Sequence, residues 1–75
     1  GLLSVQVALA AGTQVAVIER WDGPRAQLAE AFGAAVFVGP EAAARVRAWS
    51  PAGAELVVEC AGAPAAVQLG LSLVA

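Results

Sequence analysis

The sequence has few of the side chains that carry chemistry at a protein site. It contains no histidine, no methionine and a single cysteine among 75 residues. One cysteine cannot form a disulfide within the chain, and without histidine no Cys/His zinc cluster can form. We therefore expect neither a metal site nor a catalytic residue within these 75 residues.

Charge is also scarce. Four basic and six acidic residues give a net charge of −2, so the chain lacks the basic face that binding to a nucleic acid backbone requires. Only 13% of residues are charged and 60% are apolar, which is too hydrophobic for a disordered chain and for most small soluble domains. With no methionine and with apolar runs at both ends, this composition predicts an internal part of a longer protein.

The longest uncharged stretch, residues 2–18, does not suit a membrane span. It falls short of the roughly 20 residues that cross a bilayer, and Gly12 and Thr13 interrupt it. The β-branched residues that follow favour a strand. No basic residue precedes the stretch, as a signal peptide would require. We expect a helix, a turn and a strand here, and no contact with a membrane.

Helical and strand patterns alternate along the chain. Helices are predicted over residues 1–11, 24–32, 40–49 and 64–75, and strands over residues 13–19, 34–38 and 56–58. Pro24 and Pro64 suit first helical positions. Alternation of helices with continuously apolar strands predicts an α/β fold, in which helices cover both faces of a parallel sheet.

The first predicted strand ends at a carboxylate, Glu19. A carboxylate in this position has two interpretations. It can be a solvated strand end, or it can accept hydrogen bonds from a ribose diol at the edge where open α/β sheets bind ligands. Gly1 precedes Glu19 by 18 residues, near the spacing of about 20 between a dinucleotide-binding glycine motif and its ribose acid. Spacing alone leaves both interpretations open.

Over essentially its whole length, the chain resembles the coenzyme domain of zinc-type medium-chain alcohol dehydrogenases, most closely the sorbitol, threonine and butanediol dehydrogenases. The matching segments are residues 1–3, 10–12, 15–19, 32–34 and 56–62, together with Arg25. The resemblance implies a Rossmann-like, doubly wound parallel sheet. Residues 1–75 would form only part of this dinucleotide-binding domain, because the first strand and the later strands lie elsewhere.

The resemblance also implies roles for individual residues. Gly1 matches the last glycine of the dinucleotide fingerprint, and Glu19 matches the acid that binds the adenosine ribose. Arg25 matches the basic residue beside that ribose, although it follows the acid by six positions instead of the usual five. Residues Cys60, Ala61 and Gly62 match the turn that passes along the dinucleotide after the fourth strand.

Glu19 favours NAD over NADP, because a carboxylate accepts a hydrogen bond from the 2′-hydroxyl and repels a 2′-phosphate. Arg20 is a further candidate for cofactor binding because arginine can bind a phosphate, and the alternative is a solvated turn residue. Trp21 would flank the adenine or pack at the surface. Glu59 is not expected to be catalytic, because the resemblance implies a mainly structural role for this position at the end of the fourth strand. Cys60 is not expected to be catalytic either, since no histidine is present to activate the thiol.

For the whole protein, the resemblance implies an oxidoreductase that moves a hydride between the nicotinamide and an alcohol or polyol. Zinc would be bound by other segments, and a cytoplasmic homo-oligomer is expected. In the order 3-2-1-4-5-6 the missing first strand lies between the second and the fourth. Its absence would leave both neighbours with unpaired ladder groups, so the 75 residues alone are not expected to fold stably.

Three alternatives remain open. A methyltransferase that uses S-adenosylmethionine can also end its second strand with a ribose-binding acid. A zinc-free quinone or enoyl reductase of the same superfamily would use NADPH, against which Glu19 argues. A non-catalytic α/β interaction module would bind none of these cofactors.

Overall fold

The computed structural model describes residues 2–54 and 64–74, and this part of the chain has an α/β fold. Its elements are α1 (Leu2–Ala10), β1 (Ala16–Glu19), α2 (Pro24–Ala31), β2 (Ala35–Val38), α3 (Ala42–Trp49) and α4 (Pro64–Leu73). They belong to two compact units, residues 1–42 (unit 1) and residues 43–75 (unit 2). The predicted strand over residues 56–58 lies outside the described residues.

Unit 1 is built on a parallel pair of strands. β1 and β2 pair in register from Ala16 opposite Ala35 to Glu19 opposite Val38. Backbone hydrogen bonds extend the ladder at both ends, since the Ala35 amide donates to the Val15 carbonyl (2.9 Å) and the Gly39 amide donates to the Glu19 carbonyl (3.1 Å). The parallel sheet predicted from the alternation of elements is confirmed, and both strands end at the same edge.

Helix α2 connects the two strands and packs against both of them. Its buried residues are two alanines, Ala26 and Ala29, one turn apart. Alanine allows a helix backbone to approach a sheet closely, and it carries the highest helix propensity. Pro24 occupies the first helical position, as predicted, and Gly23 precedes it in an extended conformation as the N-cap.

Helix α1 is less buried than its sequence suggests. Its apolar side chains on nearly every side predict burial on most sides, but none of its residues is buried, and Leu3 and Val7 are 73% and 62% exposed. Within unit 1 the helix packs against α2, and this contact is too narrow to cover the remaining apolar side chains. The expectation that α1 is buried on most sides is therefore wrong for the structure described.

The link between α1 and β1 also differs from the prediction. The strand begins at Ala16 instead of Thr13 because Thr13 is bonded to the end of the helix. Its amide donates to the Ala8 carbonyl (3.3 Å), and its hydroxyl donates to the same carbonyl (2.6 Å). Thr13 thus supplies donors to a carbonyl in the last turn of α1, where carbonyls lack helical partners, and cannot also pair as a strand residue.

Unit 2 contains α3 and α4. The Arg47 guanidinium donates a hydrogen bond from Nη2 to the Ser72 hydroxyl (3.1 Å). The Ala54 amide donates to the Leu73 carbonyl (2.8 Å), and Ala54 forms an isolated parallel bridge with Val74. These contacts join the segment after α3 to the end of α4. None of the helices described in the structure combines the length and apolar character needed to cross a membrane.

The contact between α2 and the sheet leads to a stability prediction. We expect Ala29→Leu to lower the free energy of unfolding of the full-length protein by about 1–3 kcal/mol, because Ala29 is fully buried and a larger side chain would overpack the contact. Ala31→Leu, at an exposed position of the same helix, is the matched control. Denaturant unfolding measures both, and equal effects would contradict the packing described for α2.

Candidate functional site

The candidate site lies at the carboxyl edge of the sheet in unit 1. Glu19 and Val38 are the last residues of β1 and β2 and lie opposite each other in the ladder. Because the strands are parallel, the segments after them leave the sheet from this same edge. Helix α2 follows β1 and therefore also begins here. Open α/β sheets bind ligands outside the carboxyl ends of their strands.

Glu19 has a fixed backbone and an available side chain. Its carbonyl accepts the hydrogen bond from Gly39 (3.1 Å), and the residue is half-buried at the end of β1. Within residues 2–54 and 64–74, its carboxylate forms no hydrogen bond or ion pair. An ionised carboxylate has two acceptor oxygens with about four lone-pair directions, so Glu19 can accept bonds from a ligand diol.

Gly39 determines how the chain leaves β2 beside Glu19. Its φ angle is +92°, in the region that side chains with a Cβ atom rarely adopt. This conformation turns the chain after Val38 while its amide still bonds to the Glu19 carbonyl. The hydrogen bond from Gly39 thereby holds the backbone of Glu19 in the ladder, and this fixes the position of the Glu19 Cα atom from which the side chain extends.

Arg20 and Trp21 follow Glu19 and contact each other. The Arg20 guanidinium carbon lies 5.9 Å from the centroid of the Trp21 ring, which is within the distance at which a cation is attracted to an aromatic face. Both side chains are exposed, and Trp21 is 75% exposed. In the described part of the chain Arg20 forms no ion pair with Glu19, so the two neighbours do not neutralise each other.

Arg25 lies at the same edge because it is the second residue of α2. It is exposed and forms no ion pair with the described residues. No side chain caps the first turn of α2, since the N-cap residue is Gly23. The amides of a first helical turn carry a partial positive charge, which adds to that of Arg25 at this edge.

The structure thus brings Glu19, Arg20 and Arg25 to one edge of the sheet. Gly1 and residues 60–62, the other predicted cofactor-binding positions, lie outside the described residues and stay predictions. The contact between Arg20 and Trp21 was not predicted from the sequence. The two residues are adjacent in the sequence, and this adjacency could have indicated the contact. The sequence reasoning also assigned no role at the site to Gly39, which follows the second predicted strand directly.

The described residues at this edge do not form a metal site. Across residues 2–54 and 64–74, no group of three or more histidine, cysteine, aspartate or glutamate side chains comes close enough to bind a metal ion. Glu19 is the half-buried carboxylate at this edge, and Asp22 in the following turn is exposed. Two carboxylates with two arginines nearby in sequence suit the binding of a hydroxyl or an anion, and they do not supply the three or four ligands of a zinc ion.

Comparison with known proteins gives a family match. The model of the family described as "Zinc-binding dehydrogenase" matches residues 1–75. No curated protein and no solved structure matches the chain. The family match confirms the resemblance on which the dehydrogenase interpretation rests.

The positive φ angle of Gly39 leads to a prediction about stability. We expect Gly39→Ala to destabilise the full-length protein by about 1–2 kcal/mol, because a Cβ atom is strained at positive φ although no atom lies within 4 Å of its position. Gly39→Asn should be milder, since asparagine tolerates this region better. Thermal unfolding measures both, and equal losses would show that the backbone conformation is not the cause.

Proposed function

The chain belongs to the zinc-binding dehydrogenase family, a family of oxidoreductases, and from this premise we propose that unit 1 binds the adenosine end of NAD. Membership in the family implies a nicotinamide cofactor and zinc in the full protein. The proposal adds that the cofactor is NAD and that it lies at the carboxyl edge of the sheet. The observation that carries the proposal is the Glu19 carboxylate at the end of β1, which forms no hydrogen bond or ion pair with residues 2–54 and 64–74.

Glu19 would bind the adenosine ribose. A carboxylate without a protein partner can accept hydrogen bonds from both hydroxyls of a ribose diol. Such bonds to a charged acceptor are stronger than bonds between neutral groups. The ladder bond from Gly39 to the Glu19 carbonyl holds the main chain in place, so that little conformational entropy is lost when the ribose binds.

The same carboxylate would select NAD over NADP. A 2′-phosphate would bring negative charge next to Glu19. Two unit charges about 4 Å apart repel by about 1 kcal/mol in bulk water and by about 4 kcal/mol at the effective dielectric constant of about 20 typical near a protein surface. A tenfold difference in affinity corresponds to about 1.4 kcal/mol, so for the half-buried Glu19 a preference of at least tenfold is reasonable.

The remaining candidate residues would orient the dinucleotide. Arg25, at the start of α2, would place positive charge beside the adenosine ribose. Gly1 would let the backbone approach the pyrophosphate, because glycine has no side chain to obstruct it. Cys60, Ala61 and Gly62 would line the path of the dinucleotide. The bound nicotinamide supplies the hydride acceptor and donor.

In the full protein, we propose that the substrate is an alcohol or polyol and that zinc is bound by residues outside this chain. None of the described residues forms a zinc site. In the proposed dehydrogenase, this chain would bind and position the cofactor. A homo-oligomer in the cytoplasm is part of the same proposal, supported by the family resemblance alone.

Two other functions fit part of the site. A methyltransferase would use an acid such as Glu19 on the ribose of S-adenosylmethionine, and the family match argues against it. A zinc-free quinone or enoyl reductase would use NADPH, whose 2′-phosphate the Glu19 carboxylate would repel. We therefore place the NAD-dependent dehydrogenase first.

Isothermal titration of the full-length protein with NAD, NADP and S-adenosylmethionine tests the proposal. We expect NAD to bind at least tenfold more tightly than NADP, and Glu19→Gln to remove that preference, because the amide keeps the size of the side chain and loses its charge. Glu30→Gln removes the same charge from an exposed position in the last turn of α2, away from the carboxyl edge, and should leave the preference unchanged.

The outcomes separate the candidates. Binding of S-adenosylmethionine without NAD would support the methyltransferase, and a wild-type preference for NADP would support the reductase. If NAD binds best but Glu19→Gln does not alter the preference, another residue selects the cofactor, and Glu19 is a solvated strand end.

A further inference from the structure

Arg20 presents a difficulty for selection by Glu19. An arginine next to the ribose acid could form an ion pair with the carboxylate, which would cancel the repulsion of a 2′-phosphate. It could also bind that phosphate directly, because a guanidinium matches phosphate oxygens in two-point contacts. Either effect would weaken the discrimination between the two dinucleotides, so the position of the Arg20 side chain matters.

In the structure, the Arg20 guanidinium is located over an aromatic ring and not against the carboxylate. Its carbon lies 5.9 Å from the Trp21 centroid, and among the described residues it forms no ion pair with Glu19. Tryptophan is the best aromatic partner for a cation, and a guanidinium is weakly hydrated and stacks readily on aromatic rings. Trp21 is 75% exposed, which leaves its ring open to the Arg20 side chain.

We infer that Trp21 is a positioning residue that holds Arg20 away from Glu19, and that it thereby maintains selection for a ribose with a free 2′-hydroxyl. The inference rests on the proposed binding of NAD at this edge. Trp21 acts through Arg20 and needs no contact with the cofactor. Its effect on selectivity is modest, because cation–π attraction at an exposed site changes an equilibrium by about two- to fivefold.

A double-mutant cycle on the full-length protein tests the inference. The dissociation constants of NAD and NADP are measured for the wild type, Trp21→Ala, Arg20→Ala and the double variant. We expect Trp21→Ala to lower the preference for NAD by about two- to fivefold, mainly through tighter binding of NADP. In the Arg20→Ala background the same substitution should leave the preference unchanged, since the side chain it releases is absent.

Two further variants separate positioning from general loss of apolar surface. Trp21→Phe keeps an aromatic face and should preserve most of the preference. Leu71→Ala removes a comparably exposed apolar side chain, 70% exposed, from unit 2, and should not alter it. A direct readout comes from NMR, because ring currents shift Arg20 side-chain resonances near Trp21, and Trp21→Ala should abolish that shift.

Several results would overturn the inference. If Trp21→Ala weakens NAD and NADP equally, Trp21 contacts a part that both share. If it changes the preference equally with and without Arg20, it does not act through Arg20. If the Arg20 side-chain resonances show no ring-current shift, the stacking of Arg20 on Trp21 is contradicted, irrespective of the measured cofactor affinities. If the wild type binds neither dinucleotide, the proposed function is wrong and the inference is wrong with it. If the wild type prefers NAD and Trp21→Ala does not change that preference, the inference alone is wrong.

Discussion

The parallel ladder between β1 and β2 is the constraint on which the rest of unit 1 depends. It places Glu19 opposite Val38, so the segments after both strands leave from one edge. The bond from the Gly39 amide to the Glu19 carbonyl is the last rung of this ladder, and it can form because glycine adopts the positive φ angle that the turn requires. Helix α2 follows β1 along the chain, so it also begins at this edge.

Electrostatics at this edge depend on which charges pair and which do not. Two carboxylates, Glu19 and Asp22, and two guanidinium groups, Arg20 and Arg25, leave from a short segment of chain, yet none of them pairs with another within the described residues. Arg20 is instead close to the ring of Trp21. An acid that remains unpaired keeps its full charge for a ligand, and this availability is what the proposed selection of NAD requires. A neutralised Glu19 would bind a diol less strongly and would not reject a phosphate.

Burial is distributed differently from what the apolar composition suggests. The buried residues of unit 1 are mostly small, and they lie on α2, on β2, directly before β2 and at the first residue of α3. Large apolar side chains such as Leu3 and Val7 on α1 remain exposed. The hydrophobic effect favours burial of such surface, but burial requires a neighbouring element to pack against it. In unit 1, α2 packs against α1 and leaves Leu3 and Val7 exposed.

Helix and strand periodicity, proline at helix starts and glycine at turns act locally, so the order of the described elements could be predicted from the sequence. The parallel pairing could be predicted because helices and strands alternate along the chain. The sequence also placed Glu19 at a strand end, and the resemblance it carries led to the family that the comparison confirmed. The start of β1 and the burial of α1 could not be read from the sequence. The first depends on the local bond from Thr13 to Ala8, five residues earlier in the last turn of α1, which competes with strand pairing. The second depends on what packs beside the helix. The adjacency of Glu19, Arg20 and Trp21 in the sequence showed that a carboxylate and a ring compete for one cation, and only the geometry of the folded chain selects the ring over the carboxylate.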